Sequence, residues 1–320
     1  MSDKPDVAKL LGATEASTFL GIPGCGNLNS FDASSVFIGA PGATAYGSMG
    51  AFCRNAPQAL RTSISPETAL IERHNFDIDG PIFPPGCKRA VDCGDLAWHD
   101  SDYAENRALI RATVSKVVAA GAIPIVVGGD DSVPIPMLAA LADSGEEYSI
   151  LQIDAHIDWR ESHMGERFGL SSNMRRASEM DHIKQIVQVG MRGFGSGHSD
   201  DYQDALDWGV EFFPASRVHR DGTRQALDRI NDGANIVICV DVDGLDPSIV
   251  PGVIARTPGG LSYAQLIELI QGAAEKGRIA AIDFAEFLPE ADVDGLGALT
   301  VSRLIAATMG ILARQQMAAQ

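Results

Sequence analysis

Apolar residues in this chain fall into short blocks, and helical periodicities separate the blocks. Residues 123–127, 148–153, 185–189, 236–241 and 279–284 are dense in Ile and Val and each read as a buried parallel strand. Further strands fit 35–38, a segment ending at Gly94-Asp95, and a short stretch at 210–213. Leu109, Ile110, Val114, Val117 and Val118 recur at helical spacing, which predicts an amphipathic helix over 106–120, closed by Gly121. Pro57 suits the first turn of a helix reaching Thr62. The pattern places other helices at 134–142, 171–180, 200–207, 223–231, 262–276 and 297–315. Residues 66–85 read as irregular, with a hairpin-like turn at Asp79-Gly80-Pro81. Strand–helix alternation of this kind predicts an α/β fold, a mainly parallel sheet with helices on both faces. Residues 1–33, mixed in Gly, Pro, Asn and Ser, read as an N-terminal arm, and 34–320 as one domain.

Three strands end in acid. The clusters are Gly128-Gly129-Asp130-Asp131-Ser132, Asp154-Ala155-His156-Ile157-Asp158 and Asp241-Val242-Asp243. In open parallel sheets, ligands bind beyond the carboxyl ends of the strands. Residues two apart on a strand share a side, so Asp154, His156 and Asp158 can converge, as can Asp241 and Asp243, with Asp131 from a third strand. Five carboxylates and one imidazole there repel each other unless cations sit between them. That set predicts two divalent ions. Oxygen-rich ligands with an imidazole suit Mn²⁺, with Ni²⁺, Fe²⁺ or Zn²⁺ as alternatives. Two such ions sharing a water lower its pKa from about 15.7 toward neutrality and so supply a nucleophile. Asp154 and Asp241, nearest the rigid strands, are the expected bridging ligands.

Composition narrows the partners. With 25 Lys and Arg against 42 Asp and Glu, the net charge is −17. Nucleic acid is excluded, because phosphate binding needs a basic face. A cationic small molecule fits an acidic protein better. No apolar run approaches the roughly 20 residues that span a bilayer, so no membrane partner is expected. The five cysteines, at 25, 53, 87, 93 and 239, show no CxxC spacing. They point to a reducing, cytoplasmic compartment, with Cys239 a buried thiol inside a strand.

The order GGDxS, DAHxD and Asp241-Val242-Asp243-Gly244-Leu245-Asp246-Pro247, continuing through Pro251-Gly252, resembles the ureohydrolase family of arginases and agmatinases. Val189-Gly190-Met191-Arg192-Gly193 and Asp283-Phe284-Ala285-Glu286 extend the likeness over roughly 35–315. The resemblance implies a single-domain, three-layer arginase-like fold and a binuclear manganese centre. It implies hydrolysis of a guanidino compound to urea and an amine, and assembly into homotrimers or homohexamers. Asp158-Trp159-Arg160-Glu161 with Arg175-Arg176-Ala177 looks closer to bacterial agmatinase-like proteins, so an agmatine-like cation is the expected substrate. Asp154, His156, Asp158, Asp241 and Asp243 match the family's metal ligands, and Glu286 matches the glutamate that pairs with the guanidinium. Asp158 or His163 is expected to handle the proton.

Three departures qualify the likeness. Asp131 stands where the family has His. The loop after DAHxD offers only His163, early in the loop, and Ser171 or Ser172 takes the substrate-facing place. The early loop reads Pro41-Gly42-Ala43-Thr44 instead of the usual Pro-x-Asp. Substrate identity is therefore open. Guanidinobutyrate, guanidinopropionate, guanidine or a biguanide are alternatives, and Arg160 is a candidate partner for a carboxylate-bearing tail. A non-catalytic subunit assembling with an active paralogue is the alternative from another class. With Asp131, five carboxylates face two divalent ions and one negative charge is left over. The variant Asp131→His is therefore expected to change metal preference or the pH profile of activity, and unchanged profiles across several metals would count against this reading.

Overall fold

The computed structural model describes residues 18–319 apart from Ser196. Residues 1–17, part of the expected arm, lie outside the described residues. Eight strands form one sheet: β1 (Ser35–Ala40), β2 (Val91–Asp95), β3 (Ile123–Gly128), β4 (Tyr148–Ile153), β5 (Ile183–Val189), β6 (Glu211–Phe213), β7 (Asn235–Asp241) and β8 (Arg278–Ala285). Their order is β2-β1-β3-β8-β7-β4-β5-β6, and every pairing is parallel. β3 and β4 are buried along their whole length and β7 from Ile236 onward, as β-branched blocks require when helices cover both faces.

Each face carries its own core. Ile125, Leu151, Ile153, Ile238 and Phe284 pack toward helices Ala56–Thr62, Tyr263–Lys276 and Leu296–Ala318. Val126, Ile150, Val237 and Cys239 face the other way, toward Tyr103–Ala119, Pro134–Leu141, Asn173–Ser178 and Ser199–Trp208. The result is the expected three-layer α/β architecture. Within 18–33, Phe19, Leu20 and Ile22 join the first core, and Gly24 bridges to Asp92 of β2.

Several local expectations change. Residues 66–85 include a short helix, Pro66–Ala69, because the Ser65 hydroxyl accepts the Thr68 N–H. The helix expected at 223–231 is only one turn, Arg224–Leu227, and a further helix, Ala215–Asp221, precedes it and stops at Gly222 (φ 80°). Residues 171–180 begin with a 3₁₀ turn, Leu170–Ser172. Leu296–Ala318, at 23 residues, is long and apolar enough to cross a membrane, contrary to the expectation from the sequence pattern; 72% of its apolar window is buried inside the protein.

Two glycines set the position of the β4 end. A Cβ at Gly190 would lie 2.8 Å from the Asp154 carbonyl oxygen, and one at Gly244 would lie 2.8 Å from the Asp154 nitrogen. The Asp154 backbone therefore sits in a slot that only hydrogen atoms leave open. Gly244→Ala is expected to destabilise the protein by about 1–3 kcal/mol in denaturant unfolding, as overpacking against a fixed backbone does. Unchanged stability would show that the slot can yield.

Candidate active site

Four adjacent strands deliver the acidic residues to one place. β3, β8, β7 and β4 are consecutive in the sheet. At their carboxyl ends lie Asp130-Asp131, Glu286, Asp241 to Asp243, and Asp154 to Asp158. Donor atoms of Asp131, Asp154 and Asp241 lie within 4.8 Å of one another, as do those of Asp154, His156 and Asp243. Asp154 belongs to both groups. Asp241, the other expected bridge, belongs to the first.

Hydrogen bonds fix these groups from behind. Asp154 Oδ1 accepts the His156 N–H at 2.6 Å, and Asp243 Oδ1 accepts that of Ala155 at 3.0 Å. Asp241 Oδ1 accepts the Asp243 N–H at 2.7 Å. The His156 Nδ1 lies 3.1 Å from Asp243 Oδ2 and 3.3 Å from Asp154 Oδ1. Asp158 is in left-handed backbone (φ 46°), with its carboxyl against those of Asp131 and Asp154. Asn173 donates from Nδ2 to Asp131 Oδ2, and to the Asp131 carbonyl at 3.1 Å.

The rest of the motifs staples this arrangement. Asp246 accepts N–H bonds from Ser248, Gly259 and Gly260, closing the loop after β7; burial opposes its charge, but these donors pull its carboxyl down to about 2. Arg192 donates to the carbonyls of Asp243, Gly244, Leu245 and Thr257. Asp130 accepts from the Ser132 N–H and hydroxyl and so serves its own turn.

The electrostatics suit divalent cations. Burial raises the Asp131, Asp158 and Asp241 carboxyls well above the usual range, and neighbouring acids raise each further. Asp154 is raised by burial and by Asp243. Burial alone would lower His156, but its contacts with Asp154 and Asp243 push it up to about 12. Burial likewise opposes ionisation of Asp243, and His156 reverses this, holding that carboxyl low. Asp131 Oδ1 is buried with no hydrogen-bond partner among the described residues. Carboxylate oxygens from three strands, one imidazole and an unsatisfied acceptor are the donor set that a pair of divalent ions fits.

A cavity of about 170 Å³ opens on this cluster, with Glu286, Arg160, Ser171, Asp201 and Ile254 in its wall. Glu286 is buried in left-handed backbone (φ 67°). Its Oε1 accepts the Asp131 N–H at 3.3 Å, and the Cys53 thiol lies 3.7 Å from Oε2. Burial, then Asp130 and Asp243, raise its carboxyl well above the usual range. Arg160 has no carboxylate partner among the described residues; it contacts His163 Nδ1 at 2.7 Å. His163 packs edge-on against Tyr46 and is not in the cavity wall. Ser172 is buried under the loop, whereas Ser171 lines the cavity. Asn173, Cys53 and Asp201 have no spacing or motif that marks them; only the folded chain brings them here.

The arginase-family model matches residues 33–310. The chain is 32% identical over 218 residues to the N(1)-aminopropylagmatine ureohydrolase of Thermus thermophilus, covering 68% of this chain and 71% of that one. It is 31% identical over 283 residues to the formimidoylglutamase of Halobacterium salinarum, covering 86% and 87%. Among solved structures, proclavaminate amidino hydrolase from Streptomyces clavuligerus matches with a TM-score of 0.79 at 26% identity, over 93% of this chain and 97% of that one.

In metal-stripped protein, His156 and the raised carboxyls hold protons that ions must displace. Groups with raised folded-state pKa values stabilise the metal-free fold fully below their unfolded values. For His156 that contribution is lost as pH rises from about 6.5 toward about 12, and for the acids the loss starts lower. The difference in melting temperature between Mn²⁺-loaded and metal-stripped protein is therefore expected to widen from about pH 6 to about pH 9. A difference that narrows with pH would contradict the assignment.

Proposed function

Because the chain belongs to the arginase family, whose members depend on a binuclear metal centre, we propose that it hydrolyses an agmatine-like guanidino amine to urea and the free amine. The observation that carries this reading is the pair of donor groups sharing Asp154 beneath a cavity walled by Glu286. Asp131, Asp154, Asp158 and Asp241 would hold one ion, and Asp154, His156, Asp241 and Asp243 the other. Mn²⁺ is the ion we propose. When bound, the ions supply Lewis-acid polarisation and an acidified water at neutral pH.

The chain's own residues provide the rest. Glu286 offers two carboxylate oxygens to the planar guanidinium, with its orientation set by the Asp131 N–H. Asp241, Asp243 and Asp158 line the same wall and favour a cation over a neutral analogue. Asp158, in the cavity wall beside Asp131 and Asp154, would take a proton from the attacking water and pass it to the departing nitrogen. Water contributes oxygen to the guanidinium carbon, the bond from that carbon to the tail nitrogen breaks, and urea and an alkylammonium leave. Charge is conserved across the step. Convergence of the acids supports catalysis over a non-catalytic subunit.

The tail decides the substrate. The Thermus thermophilus relative is an N(1)-aminopropylagmatine ureohydrolase and the Halobacterium salinarum one a formimidoylglutamase, so family membership does not select it. Asp201 in the wall favours an amine tail. Arg160, with no carboxylate partner among the described residues, favours a second reading in which the tail is a carboxylate, as in guanidinobutyrate.

Urea release by Mn²⁺-loaded protein from agmatine and from 4-guanidinobutyrate tests both readings. The first predicts higher kcat/KM for agmatine and loss of that preference in Asp201→Asn. The second predicts the reverse, with Arg160→Met raising KM for the acid. On either, Glu286→Gln is expected to cost about 2–5 kcal/mol, or about 30-fold and more in kcat/KM, because it removes one partner of a buried charged pair. No urea from any guanidino compound would overturn the proposal.

A further inference from the structure

A polar rank crosses the buried sheet one repeat below the carboxylates. Gln188 of β5, Gln152 of β4, Cys239 of β7 and Asp283 of β8 are partners in register. Two residues further along their strands, on the same face, come Asp154 and Asp241. Gln152 and Gln188 are buried, at 1% and 0% exposure, on the sheet face that carries Ile150, Ile186 and Val237. Amides in such a layer weaken a core unless their hydrogen bonds do something an apolar pair would not.

The bonds run in one direction. Gln188 Nε2 donates to the Ile157 carbonyl at 2.9 Å and to Gln152 Oε1. Gln152 Nε2 then donates to Asp154 Oδ2 at 2.8 Å. A carbonyl can only accept, so Ile157 fixes which way the Gln188 amide points, and Gln188 fixes Gln152. Asp154 Oδ2 is thereby tied down, and Oδ1 is left facing His156. Gln188 also grips the Asp154–Asp158 turn at its far end, through Ile157, one residue before the left-handed Asp158.

We propose that Gln152 and Gln188 are positioning residues that set the carboxylate plane of Asp154, and with it both ion sites at once. The inference rests on the proposed function's reading of Asp154 as a ligand common to the two ions. Loss of a partner that orients a metal ligand typically costs about 10- to 100-fold in metal affinity.

The test is calorimetric titration of the metal-stripped full chain with Mn²⁺ alone, alongside its melting temperature without metal. The double variant Q152M/Q188M removes both amides at similar volume and is expected to bind Mn²⁺ about 10- to 100-fold more weakly. Q188M alone, which leaves the Gln152–Asp154 bond in place, is expected to lose less than Q152M. That ranking carries the test if the double variant does not fold. A merely structural role would lower the melting temperature yet leave Mn²⁺ affinity within about threefold of the unaltered chain, and that result would overturn the proposal. If the unaltered chain takes up no Mn²⁺, the metal-centre reading fails first and this inference fails with it.

Discussion

Repulsion among buried carboxylates governs the working end of this molecule. Two unit charges about 4 Å apart interact by about 4 kcal/mol at an effective dielectric of 20, and several such pairs meet here. Left alone, the acids relieve the conflict by taking up protons, which is the direction in which Asp131, Asp158 and Asp241 are pushed. Divalent ions relieve it instead by joining the acids. The rest of the architecture keeps the acids from escaping: strands buried on both faces, the glycine slot around the Asp154 backbone, the Asp246 staple and the Arg192 clamp.

The motifs divide into groups that face the cavity and groups that hold those groups in place. Asp241 and Asp243 converge on the site, while Asp246, in the same motif, satisfies backbone N–H groups and never approaches the cavity wall. Asp131 joins the donor cluster, while Asp130 accepts from Ser132 within its own turn. Asn173, the first residue of the helix that follows the 161–172 loop, holds Asp131, the residue that departs from the family pattern.

Much of this is legible in the sequence because it depends on local signals. β-branched blocks mark β3, β4 and β7 nearly to the residue, and an acid at each strand end locates the site. What stays hidden depends on tertiary placement. Gln152 and Gln188 sit inside strands and read as ordinary polar interruptions until the register pairs them. Cys53 reaches Glu286 across 233 residues. The helix Ala215–Asp221 escapes the periodicity because its buried apolar face is only two residues deep, Ala215 and Val218. His163 stands out in the sequence as the loop's only histidine, yet the fold sets it against Arg160 and Tyr46 outside the cavity wall.

Anomalous scattering from crystals of the full chain grown with Mn²⁺ tests the central claim most directly. The account predicts two peaks about 3.5–4 Å apart, one among Asp131, Asp154 and Asp241 and one among Asp154, His156 and Asp243. Absence of both peaks, or carboxylates of Asp154 and Asp241 turned away from each other, would contradict it.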